Sequence, residues 1–423
     1  MKLVLENVGK IKKRSEIEIN GITVLAGQNG TGKSTIGKAL FCVFDTFRDY
    51  KNQVRWEREK SVRRLLQMYS YADPRIRRTP VNRDYIGELV ERASQEDAES
   101  LAKELIVKSI PVQYAEDNKK ELKELRERLV RALDADEQQV LEGMLNRRLQ
   151  SEYNNQVRHV NNDRQDANIE LHLKDGVIHI NVSSDNTTRI VSKVNLVKNI
   201  IYIDDPNILD DLDDYGIMRT RQRHKTKLVE KLDYKYKPDL SAVDGIIIDE
   251  RIKRIEERLK DINLGELDFS TDYGYQYRDA SLKEGISLEN LSMGLKSYVI
   301  LKTLLEKSVI EDNGILILDE PEIHLHPEWM RLYAEIVVLL QKEFGLNIVI
   351  STHSSDFLGF IELFATKNGI VDKCKYYMLN NSKEGSEYSE IEDVSENVDK
   401  IYDMLGKPFI EASEELGRLN ETV

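Results

Sequence analysis

An α/β fold built around a nucleotide-binding sheet is what this 423-residue sequence predicts. Three observations lead there. A glycine-rich loop sits between an apolar, β-favouring run and a helical pattern. A second apolar run, far along the chain, ends in two adjacent carboxylates. Short apolar segments bounded by turn residues recur at both ends of the chain, which is how buried strands read.

The loop is GQNGTGKST, Gly27 to Thr35, and it matches G-x-x-x-x-G-K-[ST] with Gly27, Gly32, Lys33 and Ser34 in register. LVLENV (Leu3–Val8) and ITVLA (Ile22–Ala26) precede it as strands, and IGKALFCVFDTF follows as a helix. Gly27, Asn29, Gly30 and Gly32 let backbone N–H groups turn inward around phosphate oxygens, at the positive end of the helix that Ser34 and Thr35 begin. Lys33 is expected to reach the β- and γ-phosphates, and the Ser34 hydroxyl to ligate Mg²⁺. A chance glycine-rich turn would lack the strand before it and the helix after it.

ILILDE (Ile315–Glu320) is the apolar run with two terminal carboxylates. Its strand delivers Asp319 beside the loop, to hold Mg²⁺ with Ser34, usually through water. Glu320, one residue on, is placed to orient and deprotonate the water that attacks the γ-phosphate. The pair favours ATP hydrolysis over ATP binding alone.

The chain is long enough to bury a sizeable core in two or three domains. No apolar run approaches membrane-spanning length, and the first residues lack the apolar segment of a signal peptide, so a cytoplasmic protein without a membrane partner is expected. Cys42 and Cys374 are the only cysteines, too few for a disulfide framework or a zinc site. Net charge is −13, from 62 basic and 75 acidic residues, which argues against coating nucleic acid with the whole surface. Charged residues reach 32% with only 8 prolines, a composition of long solvated helices.

In chain order, KKRSEIEIN and GITVLAG read as two strands joined by a tight turn at Asn20-Gly21. Residues 51–83 carry ten Lys/Arg against three Asp/Glu, with Trp56, Tyr69 and Tyr71 interspersed. Such a stretch can follow a DNA or RNA backbone, although a charged helix face is the commoner meaning. Asp84 to about Ser151 has leucines at helical spacing and reads as a helical hairpin or short antiparallel coiled coil. NIELHLKDGVIHINV (Asn168–Val182) is a hairpin turning at Asp175-Gly176, and its His172 and His179 receive no role. NLVKNIIYIDDP ends a buried strand at Pro206. The acidic cluster Asp210–Gly216 lacks calcium-loop spacing, the basic run Arg219–Lys227 is a weak phosphate candidate, and VDGIIIDERIKRIEERL reads as a helix. Phe269–Tyr277 is a tyrosine-rich β segment, and the residues after Val394 form one or two helices.

Three further motifs carry a family resemblance. LSMG (Leu291–Gly294), followed by Lys296, resembles the signature of ABC ATPases, a Ser-x-Gly at a helix start. LDEPEIHLHP (Leu318–Pro327) and STHSSDFL (Ser351–Leu358) resemble the OLD-like branch of that superfamily, which includes phage-defence ATPases of the Septu type and is more distantly related to RecF and SMC heads. The resemblance covers residues 1–45 and 265–365. It implies an ABC-type head, a P-loop α/β fold with a mixed sheet and an antiparallel β lobe, made discontinuously from residues 1–50 and 264–423 with strands from about 155–206. Residues 51–154 and 207–263 would be mostly helical insertions.

The resemblance also implies a mechanism. Two heads close on two ATP molecules, so Ser292 and Gly294 act on the γ-phosphate held by the other protomer, with Lys296 adding charge. His353 resembles the switch histidine at that phosphate. His324 and His326 invite a zinc reading, but the resemblance places them in the loop after Glu320, shaping the dimer contact. Gln53 is the candidate for the Mg²⁺-sensing glutamine. The Toprim nuclease set of OLD proteins has no counterpart here, so an effector, a nuclease or toxin, is expected from another protein. The implied partners are therefore a second head, in a homodimer or larger oligomer, and that effector. A RecF-like clamp holding DNA through Arg63, Arg64, Arg77 and Arg78 is the alternative.

Overall fold

The computed structural model describes residues 1–72, 83–110, 112–161, 165–212, 222–233, 235–236, 250–255, 257, 265–270, 274–382 and 388–421. Arg77, Arg78, the second half of the acidic cluster and most of the helix expected at 243–259 lie outside them.

The described chain runs β1 (Lys2–Glu6), β2 (Ser15–Glu18), β3 (Ile22–Gly27), α1 (Lys33–Phe47), α2 (Tyr50–Ala72), α3 (Arg83–Arg92), α4 (Ala98–Ser109), α5 (Val112–Asp117), α6 (Lys119–Leu133) and α7 (Glu137–Glu152). There follow β4 (Ala167–Leu173), β5 (Gly176–Val182), β6 (Thr188–Ser192), β7 (Ile200–Ile203), α8 (Arg223–Leu232), β8 (Glu266–Ser270), β9 (Gly274–Arg278) and β10 (Ile286–Ser287). The last part holds α9 (Met293–Glu306), β11 (Ile315–Asp319), α10 (Pro327–Phe344), β12 (Asn347–Thr352), α11 (Ser355–Asn368), β13 (Cys374–Asn381), β14 (Ser389–Asp393) and α12 (Asp399–Glu421).

The chain forms two compact units, residues 1–45 with 147–194 and 198–423, and residues 46–146 with 195–197. The first unit has a six-stranded mixed sheet ordered β14-β13-β3-β12-β11-β7, in which only β14 runs antiparallel to its neighbour. Its inner strands are buried along nearly their whole length and mostly apolar, as parallel strands covered on both faces are. A five-stranded antiparallel sheet, β2-β1-β4-β5-β6, and a three-stranded one, β10-β9-β8, complete the unit. This is a P-loop α/β fold with a mixed sheet and an antiparallel lobe, as expected.

Two local expectations need correcting. The turn at Asn20-Gly21 does not close a hairpin: β2 pairs with β1 while β3 enters the mixed sheet. Gly21 is required there, since its φ is +53° and a Cβ would lie 2.4 Å from the Lys373 carbonyl oxygen. The stretch 83–152, which lies in the second unit up to residue 146, is five helices among the described residues rather than a hairpin. Asp97 accepts from the Ser100 N–H at 2.9 Å and Asp136 from the Gln139 N–H at 2.9 Å, so each starts a new helix where the periodicity alone continues. Leu125, Leu129 and Leu133 of α6, one helical face, pack with Leu89, Leu101 and Leu105 in that unit's core.

In the first unit, α8 is anchored by buried polar chemistry. His224 Nδ1 lies 2.6 Å from Glu152 Oε2, its Nε2 lies 3.0 Å from Asp204 Oδ2, and its backbone N–H donates to Glu152 Oε1 at 2.9 Å. Burial opposes a charge on this imidazole, but the two carboxylates outweigh burial and push its pKa up to about 8. Because the folded value exceeds the unfolded one, the stabilisation is complete below pH ~6.5 and is lost as pH rises through ~8, a contribution of about 2 kcal/mol. Urea midpoints measured from pH 6 to 9 are expected to fall across that window more steeply for the wild type than for His224→Gln. Parallel pH profiles would contradict a charged His224.

Candidate functional site

The P-loop joins the end of β3 to α1. Gly27 allows no side chain, since a Cβ would stand 2.4 Å from the Leu379 carbonyl oxygen, and Gly30 and Gly32 hold φ of +75° and +85°. Thr31 is buried and donates to the Gln28 carbonyl at 2.8 Å, which braces the loop from inside, while Gln28, Asn29 and Gly30 are exposed. Lys33 is only 4% exposed. Its ammonium donates to the carbonyls of Gly27 at 2.9 Å and Gln28 at 3.1 Å and stands 3.4 Å from Glu320 Oε1. Ser34 and Thr35 are half-buried at the start of α1, whose N-terminal dipole favours anions.

Strand order brings the remaining groups to the same edge. β12 lies between β3 and β11, so His353, one residue beyond β12, stands between the P-loop and Glu320. His353 Nδ1 is 3.5 Å from Glu320 Oε1 and 3.8 Å from Glu322 Oε1, and its side chain is 38% exposed. Glu320 has left the strand, with φ of +52° and its N–H donating to the Ser351 carbonyl at 2.9 Å. A non-glycine residue in that region costs on the order of 1–3 kcal/mol and persists only where its surroundings fix it. Asp319 is its in-strand neighbour. Its Oδ2 accepts from the Tyr202 hydroxyl at 2.9 Å, and its Oδ1 is buried and makes no hydrogen bond.

An orphaned buried carboxylate oxygen suits Mg²⁺, which takes one or two protein oxygens and completes its shell with water and phosphate. Asp319 and Ser34 would hold it. Among the described residues no group of three or more His, Cys, Asp and Glu is arranged to hold a metal ion. His326 instead caps α10, its Nδ1 accepting from the Glu328 N–H at 3.4 Å, and His324 takes φ of +70° in the loop after Glu320.

Ser292 is the N-cap of α9, exposed, with its hydroxyl oxygen accepting from the Leu295 N–H at 3.3 Å. Gly294 is where the loop after Glu320 meets this helix, since a Cβ would lie 3.0 Å from the His324 carbonyl oxygen. Lys296 does not join the surface. It is buried, 2.7 Å from Asp210 Oδ2 and 3.3 Å from Asn207 Oδ1, so its charge is spent inside the fold and the expected contribution to phosphate is withdrawn. Gln53 donates to the Thr46 and Arg48 carbonyls within the second unit.

A cavity of about 470 Å³ abuts Ser34 and Thr35. Lys10, Lys38, Arg158 and His159 line it, together with Glu152. Tyr153, which also borders it, donates to the Thr35 carbonyl at 2.7 Å.

A P-loop ATPase is the class that this loop and these carboxylates define. The chain belongs to the AAA ATPase domain family, whose model matches residues 1–358. Solved structures similar to it include the SMC head domain from Thermotoga maritima, 11% identical over 93% of this chain and 98% of that one, with a TM-score of 0.39. Another is an Smc head domain with an extended coiled coil bound to the C-terminal domain of ScpA, derived from Pyrococcus furiosus, 11% identical over 95% of this chain and 98% of that one, TM-score 0.40. A third is the ADP conformation of an ATP-binding cassette of an ABC transporter, 12% identical over 97% of this chain and 98% of that one, TM-score 0.34.

Sequence reading passed over Tyr202 and Glu322. Tyr202 is the one hydroxyl in the apolar run NIIYI, a signal present but read as strand composition. Glu322 is the third acid of LDEPE, and burial pushes its carboxyl above the usual range. Its Oε1 accepts from the Thr352 hydroxyl at 2.6 Å and from the His353 N–H at 3.1 Å, which fixes where the histidine starts. Glu322→Ala takes the acceptor from the buried Thr352 hydroxyl and from the His353 N–H, at a cost of about 1–3 kcal/mol. Denaturation midpoints should fall accordingly, and hydrolysis should fall further than ATP affinity. A variant as stable and active as the parent would remove Glu322 from the site.

Proposed function

We propose that this protein is an ABC-type ATP-driven switch whose heads pair around ATP and whose opening and closing control an effector protein. The observation that carries the reading is the convergence of Lys33, Asp319, Glu320 and His353 at one sheet edge, with the Ser292 helix start exposed rather than folded into the P-loop. In this reading Lys33 and the loop N–H groups bind the β- and γ-phosphates. Glu320 orients the attacking water and accepts its proton, and His353 contacts the γ-phosphate. Mg²⁺, when bound, supplies charge neutralisation at the phosphates. Ser292 and the N–H groups at the start of α9 complete the γ-phosphate shell of a partner head, as helix N-termini do for anions.

The resemblance of LDEPEIHLHP and STHSSDFL to Septu-type ATPases supports a role in prokaryotic anti-phage defence, with a nuclease or toxin supplied in trans. No helix among the described residues is long and apolar enough to cross a membrane. A second reading, a clamp that holds DNA directly, draws on the basic face of α2, where Arg64 and Trp56 are exposed, the latter by 48%.

Glu320→Gln keeps the size of the side chain and one acceptor oxygen but removes the base. Its ATP turnover is expected to fall by about 10²–10⁴-fold, the usual worth of a general base, while ATP binding remains. Steady-state phosphate release together with nucleotide titration measures both; turnover at the parental rate would sink the assigned chemistry. Recovery of this variant from its host with a stoichiometric nuclease or toxin would support the effector reading. DNA without a dedicated protein partner would favour the clamp.

A further inference from the structure

Tyr202 lies on β7 between two layers of the site. Its ring is buried and stacks on His224, with centroids 4.4 Å apart and planes at 23°. Phe41 of α1 tilts against the same ring at 6.2 Å. The phenol then passes over α1 at Gly37, where a Cβ would lie 3.3 Å from the hydroxyl oxygen and 3.1 Å from Ile317 Cγ2. The P-loop helix therefore has no side chain where the hydroxyl reaches Asp319 Oδ2, 2.9 Å away. A tyrosine present only to fill the core would gain nothing from burying a hydroxyl, and burying one without a partner costs free energy. Here its hydroxyl is directed to the carboxylate.

We propose that Tyr202 is a positioning residue for Asp319: by holding Oδ2 it fixes the plane of the carboxylate and presents Oδ1 to a divalent cation. The proposal rests on the reading of Asp319 as the residue that holds Mg²⁺. His224, held between Glu152 and Asp204, supports the ring from behind, so the orientation of Asp319 is set by β7 and α8 as well as by its own strand. Removing the hydroxyl frees the plane of the Asp319 carboxylate, and loss of such outer partners usually costs 10–100-fold in metal affinity.

The test is Mn²⁺ binding to the full chain with a non-hydrolysable ATP analogue, read by electron paramagnetic resonance of the bound ion. Tyr202→Phe keeps the stacked ring, and its Mn²⁺ affinity should fall about 10-fold. Its metal-free affinity for the analogue and its near-ultraviolet circular dichroism should stay parental. Placing 3-fluorotyrosine at position 202 keeps the donor and should restore parental Mn²⁺ affinity, which a merely structural role for the ring would not require. Asp319→Asn is the control. Weak Mn²⁺ binding by Asp319→Asn with parental binding by Tyr202→Phe would overturn the proposal alone. Parental binding by both would overturn the reading of Asp319 and the proposal with it. If Tyr202→Phe fails to fold, weak binding by the well-folded fluorotyrosine protein would equally overturn it.

Discussion

Parallel alignment of β3, β12, β11 and β7 is the constraint on which the site depends. Parallel strands deliver their C-terminal ends to one edge, and here those ends are Gly27, Thr352, Asp319 and Ile203. Each strand adds one chemical element at that edge: the phosphate loop, the histidine, the carboxylate pair, and the tyrosine strand with its two aspartates. Binding at the carboxyl ends of strands is the rule for open α/β sheets. The buried, β-branched strand interiors supply the rigidity, and the loops beyond them supply the chemistry.

That edge concentrates groups that folding alone would avoid. Lys33 is nearly buried, Glu320 holds a left-handed backbone, and Asp319 keeps a buried oxygen without a hydrogen bond. Each lowers stability, and the surrounding polar network keeps them in place. Glu322 holds the backbone at His353, Tyr202 holds Asp319, and the loop carbonyls cap Lys33. Strain and unsatisfied polarity gathered at one place are what a site prepared for a charged ligand looks like.

Most of the mixed sheet was legible in the sequence because its strands are short apolar runs next to motifs with fixed geometry. The P-loop and the acidic strand end could be read since their spacing is tied to phosphate and metal chemistry. Other features were not legible, for physical reasons. Lys296 follows a signature motif at a helix start, and only the fold shows Asp210 beneath it, a partner far away in sequence. The turn at Asn20-Gly21 has hairpin composition, but Lys373 closes over Gly21 from another part of the chain and directs the two strands into different sheets. The helices of 83–152 share one periodicity, and caps at Asp97 and Asp136 divide it. Tyr202 and Glu322 act through hydrogen bonds to residues that tertiary structure alone brings near.

The central claim is that the phosphate loop and the Ser292 helix start serve the same ATP from different protomers. Complementation between two inactive variants tests it most directly. Lys33→Ala lacks a working loop but keeps its signature helix, and Ser292→Arg has the reverse defect. Mixed in equal amounts and allowed to exchange, they should recover ATP hydrolysis, because a mixed pair contains one site with both halves intact. A mixture as inactive as either variant alone, with exchange of subunits confirmed, would contradict a shared site and place all the chemistry within a single chain.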